Sequence, residues 1–298
     1  MNRHARRTLA VGMLAALASG ASGGQAASTT SAMGPAPLLV GIRAAHHSGF
    51  DRIVFQFSGV VPTRRQVGYV DRLIADPSGR PASIAGRAIL RVSFYRAAAH
   101  DHAGRLTAPT RTAFDLPNIM AVVRSGDFES VVSYGIGLAK RTPVHVFTLT
   151  RPSRVVIDIG TPFRTALKGV YFFNPHRFEA NTRPFVTKVM RPVLPNMPAT
   201  GLMDRLFAGP TASEYAAGLR LLQSKATGFT RLAISGGIAR IRLTGGCSSG
   251  GSTVTIGDEI APTLKQLPVV RYVKIYDPSG RTEVPAGARD SRPFCLEP

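Results

Sequence analysis

From Leu38 to about Gly160 apolar side chains recur at every second position in run after run. That spacing lets a strand bury one face and leave the other to solvent. In RIVFQF, Ile53, Phe55 and Phe57 share one face, with Arg52 and Gln56 opposite. LRVSF turns Leu90, Val92 and Phe94 inward, HVFTLT offers Phe147 and Leu149, and RVVIDI offers Val155, Ile157 and Ile159 against Asp158. DPSG at 76–79 and RPS at 151–153 supply turns between the runs. Each such sheet needs a second apolar layer, and no long amphipathic helix is at hand to provide it. The reading is an all-β sandwich over residues 38–160.

Beyond a short linker at 161–168 the pattern changes. GVYFF and FVTKVMRPV (185–193) read as extended pieces, whereas ATGLMDRLFAGP sets Leu202, Met203, Leu206 and Phe207 at helical spacing and stops at Gly209-Pro210. Thr211 and Glu214 then form a capping box that opens a helix with Tyr215, Leu219 and Leu222 on one side. TRLAIS (230–235) and IARIRL (238–243) meet at Gly236-Gly237, a hairpin signal. A helix over about 254–267 presents Ile256, Ile260, Leu264 and Leu267, and VVRYVKIYD (269–277) closes a small α+β domain spanning 169–298.

The first residues concern the address. Arg3, Arg6 and Arg7 precede an apolar stretch from Thr8 to Ala18, and small residues lead to a cleavage point near Ala26 or Ala27. This is the layout of a secretory signal over 1–27, too short to span a bilayer, with a flexible leader at 28–37. Arg6-Arg7 leaves the export route, general or twin-arginine, open. Without those three arginines the formal charge falls from +20 to +17. It is spread evenly, 16 basic against 8 acidic residues over 36–160 and 18 against 9 from 161 onward. A uniformly basic exported chain attracts polyanions in a salt-sensitive way, and peptidoglycan or an anionic wall polymer is the expected partner. The chain has no Trp and few aromatics, which argues against a nucleic-acid stacking surface.

Only Cys247 and Cys295 are present. An even pair in an exported protein predicts a disulfide, here worth about 4 kcal/mol in the chain-entropy treatment. Cys247 sits in LTGGCSSGGST, where Gly246 to Gly250 also fits the G-x-S-x-G pattern of a hydrolase nucleophile at Ser248. The last histidine, His176, lies upstream of Ser248, so the Ser, acid, His order of that fold is impossible. A different order stays open. A phosphate loop would need Lys after its last glycine, and Gly251 stands there. Anion binding at the following helix start also stays open. The disulfide reading fits compartment, count and position together. His100-Asp101-His102 could offer two imidazoles but lacks further ligands near in sequence, so solvated loop histidines are expected and no metal or cofactor. Asp258-Glu259 suits a helix start. Asp51, Arg52, Arg154 and Asp158 form a polar cluster for which structural ion pairing is the favoured reading, with Asp51, Arg52 and Arg154 as the ligand-binding candidates.

GFDRIVFQFSG (49–59), VGYVD (67–71), GRAILRVSF (86–94), GDFESVVSYGIGL (126–138) and FTLTRPSRVVIDI (147–159) together resemble the AMIN-like domain of secreted envelope proteins. GVYFF, LMDRLFAGPTASEYAAGLR (202–220), LAISGGIARIRL (232–243) and TLKQLPVVRYVKI (263–275) resemble a GerMN domain of sporulation and spore germination. Pro262 departs from the second pattern and should kink the last helix or delay its start. The first resemblance implies a sandwich that helps envelope proteins hold peptidoglycan. The second implies a small α/β module similar to ring-building motifs of envelope complexes, without known catalytic residues, and such a module is expected to dock a partner protein or to assemble. The expectation is therefore a non-enzymatic exported protein of the cell envelope without a transmembrane anchor. Its rivals are a secreted hydrolase using Ser248 or a histidine metal site, and a pure protein scaffold.

Overall fold

In the computed structural model, which describes residues 36–298, the alternating runs build two facing sheets. The expected signal, and the leader up to residue 35, lie outside the described residues. The first module comprises β1 (Leu38–His47), β2 (Phe50–Ser58), β3 (Arg65–Val70), β4 (Ile74–Ala75), β5 (Arg80–Pro81), β6 (Ala88–Tyr95), β7 (Arg111–Ala113), β8 (Ile119–Phe128), β9 (Val131–Leu138), β10 (Val144–Thr150) and β11 (Ser153–Gly160). One sheet runs β1-β2-β11-β10 and the other β3-β6-β9-β8-β7, with β4 and β5 as a separate small ribbon. Between the sheets Ile53, Phe55, Leu90, Val92, Phe94, Val155, Ile157 and Ile159 are fully buried, as their alternation predicts. Phe55 packs on Phe94 and Tyr134, with centroids 5.1 and 5.8 Å away.

Strand β10 corrects the expectation. Val144 and Val146 face the core, while Phe147 lies on the outer face and Leu149 is exposed. The run alternates as read, but in the opposite phase: β10 is an edge strand, and pairing of Val146 with Ile157 fixes which parity points inward.

The second module comprises β12 (Ala166–Phe173), α1 (Pro175–Glu179), β13 (Val186–Val193), α2 (Pro198–Ala208), α3 (Ala212–Ala216), β14 (Gly228–Ser235), β15 (Ile238–Thr244), α4 (Ile256–Lys265) and β16 (Tyr272–Tyr276). Strand β12 starts inside the segment read as a linker. It pairs antiparallel with β13, and a second sheet runs β14-β15-β16 with β15 and β16 parallel. Both central glycines of the β14–β15 hairpin have positive φ, 59° at Gly236 and 77° at Gly237, as a primed turn requires. Helix α2 ends at Gly209, and the Thr211–Glu214 capping box is present.

The helix that box opens is only five residues long. Gly218, at φ 94°, breaks it before Leu219 and Leu222, and Arg220 then bonds back to the Phe173 carbonyl. Tyr215 is consequently exposed rather than on a buried side. Helix α4 begins at its Thr255–Asp258 capping box despite Pro262, so the start is not delayed. Strand β16 begins later than read, because Arg271 and Tyr272 first close a turn onto the Gly237 carbonyl.

The two modules share a core. Ala85, Ala113, Met120, Ala121 and Ala139 of the first belong to the same buried cluster as Leu202, Met203, Leu206 and Phe207 of α2. Helix α2 thus covers the far side of the five-stranded sheet, and β9 is buried on both faces. Gly137 makes the packing of the 72–86 segment on β9 possible: a Cβ there would stand 1.9 Å from the Ala85 carbonyl oxygen.

Two adjacent charges of α2 sit in this shared interior. Arg205 has no exposed surface. It donates from Nη1 to the Phe114 carbonyl at 3.0 Å, from Nη2 to those of Leu116 and Pro117, and from Nε to Pro192 at 3.0 Å. Burial brings it down to about 9, with Arg191 adding to the effect. Asp204 is buried with Oδ2 unpartnered, and burial pushes it up to about 7, only partly offset by Arg87, Arg205 and the Gly86 amide.

Because the folded protein holds that proton and the unfolded chain releases it near 4, the contribution of Asp204 is fully present below pH 4 and lost as pH rises through 7. Asp204→Asn should therefore remove a decline of up to about 4 kcal/mol between those limits and stabilise the protein at pH 7.5. Urea melts of both proteins at pH 4.5 and 7.5 measure it. Equal pH dependence of the two would contradict the assignment.

Candidate functional site

The outer face of the β1-β2-β11-β10 sheet carries an ordered group of aromatic and charged side chains. Register places Arg52 of β2 beside Asp158 of β11, and Asp158 beside His145 of β10. Arg52 forks onto Asp158, Nε to Oδ1 at 2.7 Å and Nη2 to Oδ2 at 2.8 Å. That bond raises the guanidinium further above its ordinary value, against a smaller opposing effect of burial. The same guanidinium lies 5.2 Å from the ring centres of both Phe50 and Phe147. His47 stacks on Phe50 at 5.0 Å and His145 on Phe147 at 5.4 Å. Two stacked ring pairs thus flank an ion pair whose geometry is fixed before any ligand arrives. Flat apolar faces next to oriented donors and acceptors suit a sugar ring or another planar, polar-edged group.

Of the residues expected to cluster, Arg52 and Arg154 share this outer face. Arg154 sits opposite Gln56, but its guanidinium donates to the carbonyls of Pro152 and Arg151 rather than joining the ion pair. Asp51 does not belong to the cluster. One residue from Arg52 in a strand, it must point to the other face, where it is fully buried. Its Oδ2 accepts from the amides of Asn118 at 2.6 Å and Ile119 at 2.9 Å, and Oδ1 lies 2.7 Å from Nδ1 of His46. Asp51 is a strut between the two sheets. The reading from sequence missed Phe50, Phe147, His47 and His145. Period two could have found His145 and Phe147, had Val144 and Val146 been taken as the inward set, and Phe50 two residues before Arg52, whereas His47 arrives only through the pairing of β1 with β2.

The glycine-rich stretch is the seat of a covalent bridge. Cys247 and Cys295 are joined, with Cα atoms 5.6 Å apart. Gly246 lets the chain pass Lys225, whose carbonyl oxygen would stand 2.9 Å from a Cβ there. The Ser248 hydroxyl accepts from the Gly250 amide at 3.2 Å, and no histidine bonds to it among the described residues. His100 binds Asp127, Nδ1 to Oδ2 at 2.8 Å, and among the described residues no group of three or more His, Cys, Asp and Glu side chains could hold a metal ion. Asp258 caps α4 as expected. Glu259 instead is fully buried and accepts from the amides of Phe173 and Leu222, at 2.9 and 3.0 Å. Burial raises it well above the usual carboxylate range, and its place between α4, β12 and the chain after α3 is structural.

The fold and its outer face define a β-sandwich joined to a small α+β module. Residues 37–161 match the family model of the AMIN-like domain, and residues 169–276 match the model described as sporulation and spore germination. The chain carries an AMIN-like domain followed by a GerMN domain. No curated protein and no solved structure matches it significantly. The two domains fit an envelope-associated, non-enzymatic protein. An extracytoplasmic place also agrees with the disulfide, and no helix of the described residues is long and apolar enough to cross a membrane.

Proposed function

We propose that this exported chain holds peptidoglycan through the outer face of its AMIN-like domain. The observation that carries the reading is the pre-set group of Phe50, Arg52, Phe147 and Asp158, flanked by His47 and His145. Aromatic faces supply sequence-independent area for sugar rings, and the forked ion pair supplies both donors and acceptors. The general positive charge adds a salt-sensitive attraction to anionic wall polymers.

The test uses the whole mature chain, since an isolated sandwich would expose Ala113, Met120 and Ala121. Phe147→Ala with Arg52→Ala should lower the fraction sedimenting with purified peptidoglycan about tenfold at moderate salt, with little change in melting. Equal sedimentation of variant and wild type would reject this face.

The GerMN domain supports a protein-docking role through a groove of about 600 Å³ between β14, the start of α2 and the 267–269 turn. Val269 and Met197 line it and are exposed. Exposed apolar groups so grouped are the usual mark of a protein contact. Loss of envelope cross-links in Val269→Glu would support it, and their persistence would count against it.

A further inference from the structure

A second cleft exists only because the two domains pack together. It measures about 630 Å³, within the range of small-molecule sites. The AMIN-like domain contributes Ile42 and the short edge strand β7 with Arg111 and Ala113. The GerMN domain contributes the end of α2 at Phe207, then Tyr215, Arg220 and Leu221. Most of the wall is apolar, two arginines line it, and no acidic residue does.

Both guanidiniums have donors to spare. Arg111 gives one hydrogen bond, Nη2 to the Ser83 carbonyl at 2.9 Å. Arg220 uses Nη1 for the carbonyls of Tyr215 and Leu219, at 2.7 and 2.9 Å, and lies 3.7 Å from the centre of the Tyr215 ring. Stacking and these bonds fix the fork of Arg220 without neutralising it. Neither side chain is paired with a carboxylate among the described residues. Arg111 is exposed, so its free donors are open to an incoming anion.

From this arrangement we infer that the interdomain cleft binds a small ligand carrying a carboxylate on an apolar body, the carboxylate held by Arg111 and Arg220 and the body by Ile42, Ala113, Phe207 and Leu221. Planar guanidinium forks match a carboxylate, and the apolar wall suits the ligand's body. A peptide C-terminus and an acyl-chain acid both have this chemistry. The inference does not rest on wall binding, which uses other residues, on the outer face of the β1-β2-β11-β10 sheet.

Calorimetric titration of the whole mature chain decides it, with acetyl-trialanine as the free acid, the same peptide as its C-terminal amide, and decanoate. At least one acid should bind saturably. Arg111→Gln and Arg220→Gln should each weaken that acid about tenfold. If the peptide acid binds, the amide should bind about tenfold more weakly, and salt should weaken the acid alone. Binding of decanoate without the peptide acid would keep the chemistry and assign the source to acyl chains. Equal binding of peptide acid and amide, no binding of either acid, or wild-type affinity for the acid in both variants would overturn the inference. Should Arg220→Gln lower the melting temperature, Arg111→Gln decides alone, because Arg111 is tied only to the Ser83 carbonyl.

Discussion

Arg205→Ala is expected to destabilise the protein by roughly 3–5 kcal/mol, the range for removing one member of a buried charged network. The reason is geometric. Four carbonyls of the 114–119 segment and that of Pro192 accept from one guanidinium, which itself has no contact with solvent. Deleting it leaves several acceptors without donors and opens a void in the core that the two domains share. Arg205→Lys should recover only part of the loss, since an ammonium cannot reach both the Phe114 side and Pro192 as a planar fork does. Urea denaturation gives the magnitude. Limited proteolysis should show new cutting between residues 105 and 124, where the first domain loses its clamp. A change below about 1 kcal/mol for Arg205→Ala would mean that the apolar part of the interface suffices by itself.

Opening the bridge should have a comparable effect. Cys247→Ser with Cys295→Ser removes a closure over a sequence separation of 48 residues, for a loss of about 4 kcal/mol in the chain-entropy treatment. At this size that lowers the melting temperature by about 10 °C. The tail will not come away entirely. Asp290 accepts from the Val273 amide at 2.9 Å, Ser291 bridges to both sides of Lys274, and Lys274 donates to the Val284 and Ala286 carbonyls. What loosens first is the end, where the Cys295 carbonyl accepts from Ser249 and Leu296 is buried beside Gly257 and Ile275. Faster hydrogen exchange at the Ser249 and Leu296 amides than at the Val273 amide would report that order. Unchanged melting in the double variant would show that these noncovalent ties carry the tail alone.

Much of the local structure was legible because it is local. Ile53, Phe55 and Phe57 reveal their strand through period two, Thr211 and Glu214 close a box three residues wide, and Gly236-Gly237 specify their own turn. Where the reading failed, a distant partner decided. Phase in HVFTLT depends on which side of β11 is already buried, so Phe147 was placed inward when it belongs outside. Leu219 and Leu222 continue a helical spacing, but Gly218 ends the helix as the chain leaves to pair with Phe173. Asp51 and Arg52 look alike as neighbours in a charged cluster, yet one residue of pleat separates a buried strut from a surface group.

By itself, then, the sequence determined the two modules, the strands and helices within them, and the two cysteines available for a bridge, since all of these follow from side-chain periodicity, caps and composition. Only the tertiary structure decided that the modules share one core, that Arg205 closes it, and which side chains gather on the outer face and in the cleft. Those facts join residues as far apart in the chain as Phe114 and Arg205, or Arg52 and Asp158. Burial and hydrogen bonding across such distances leave no periodic trace for a sequence to display.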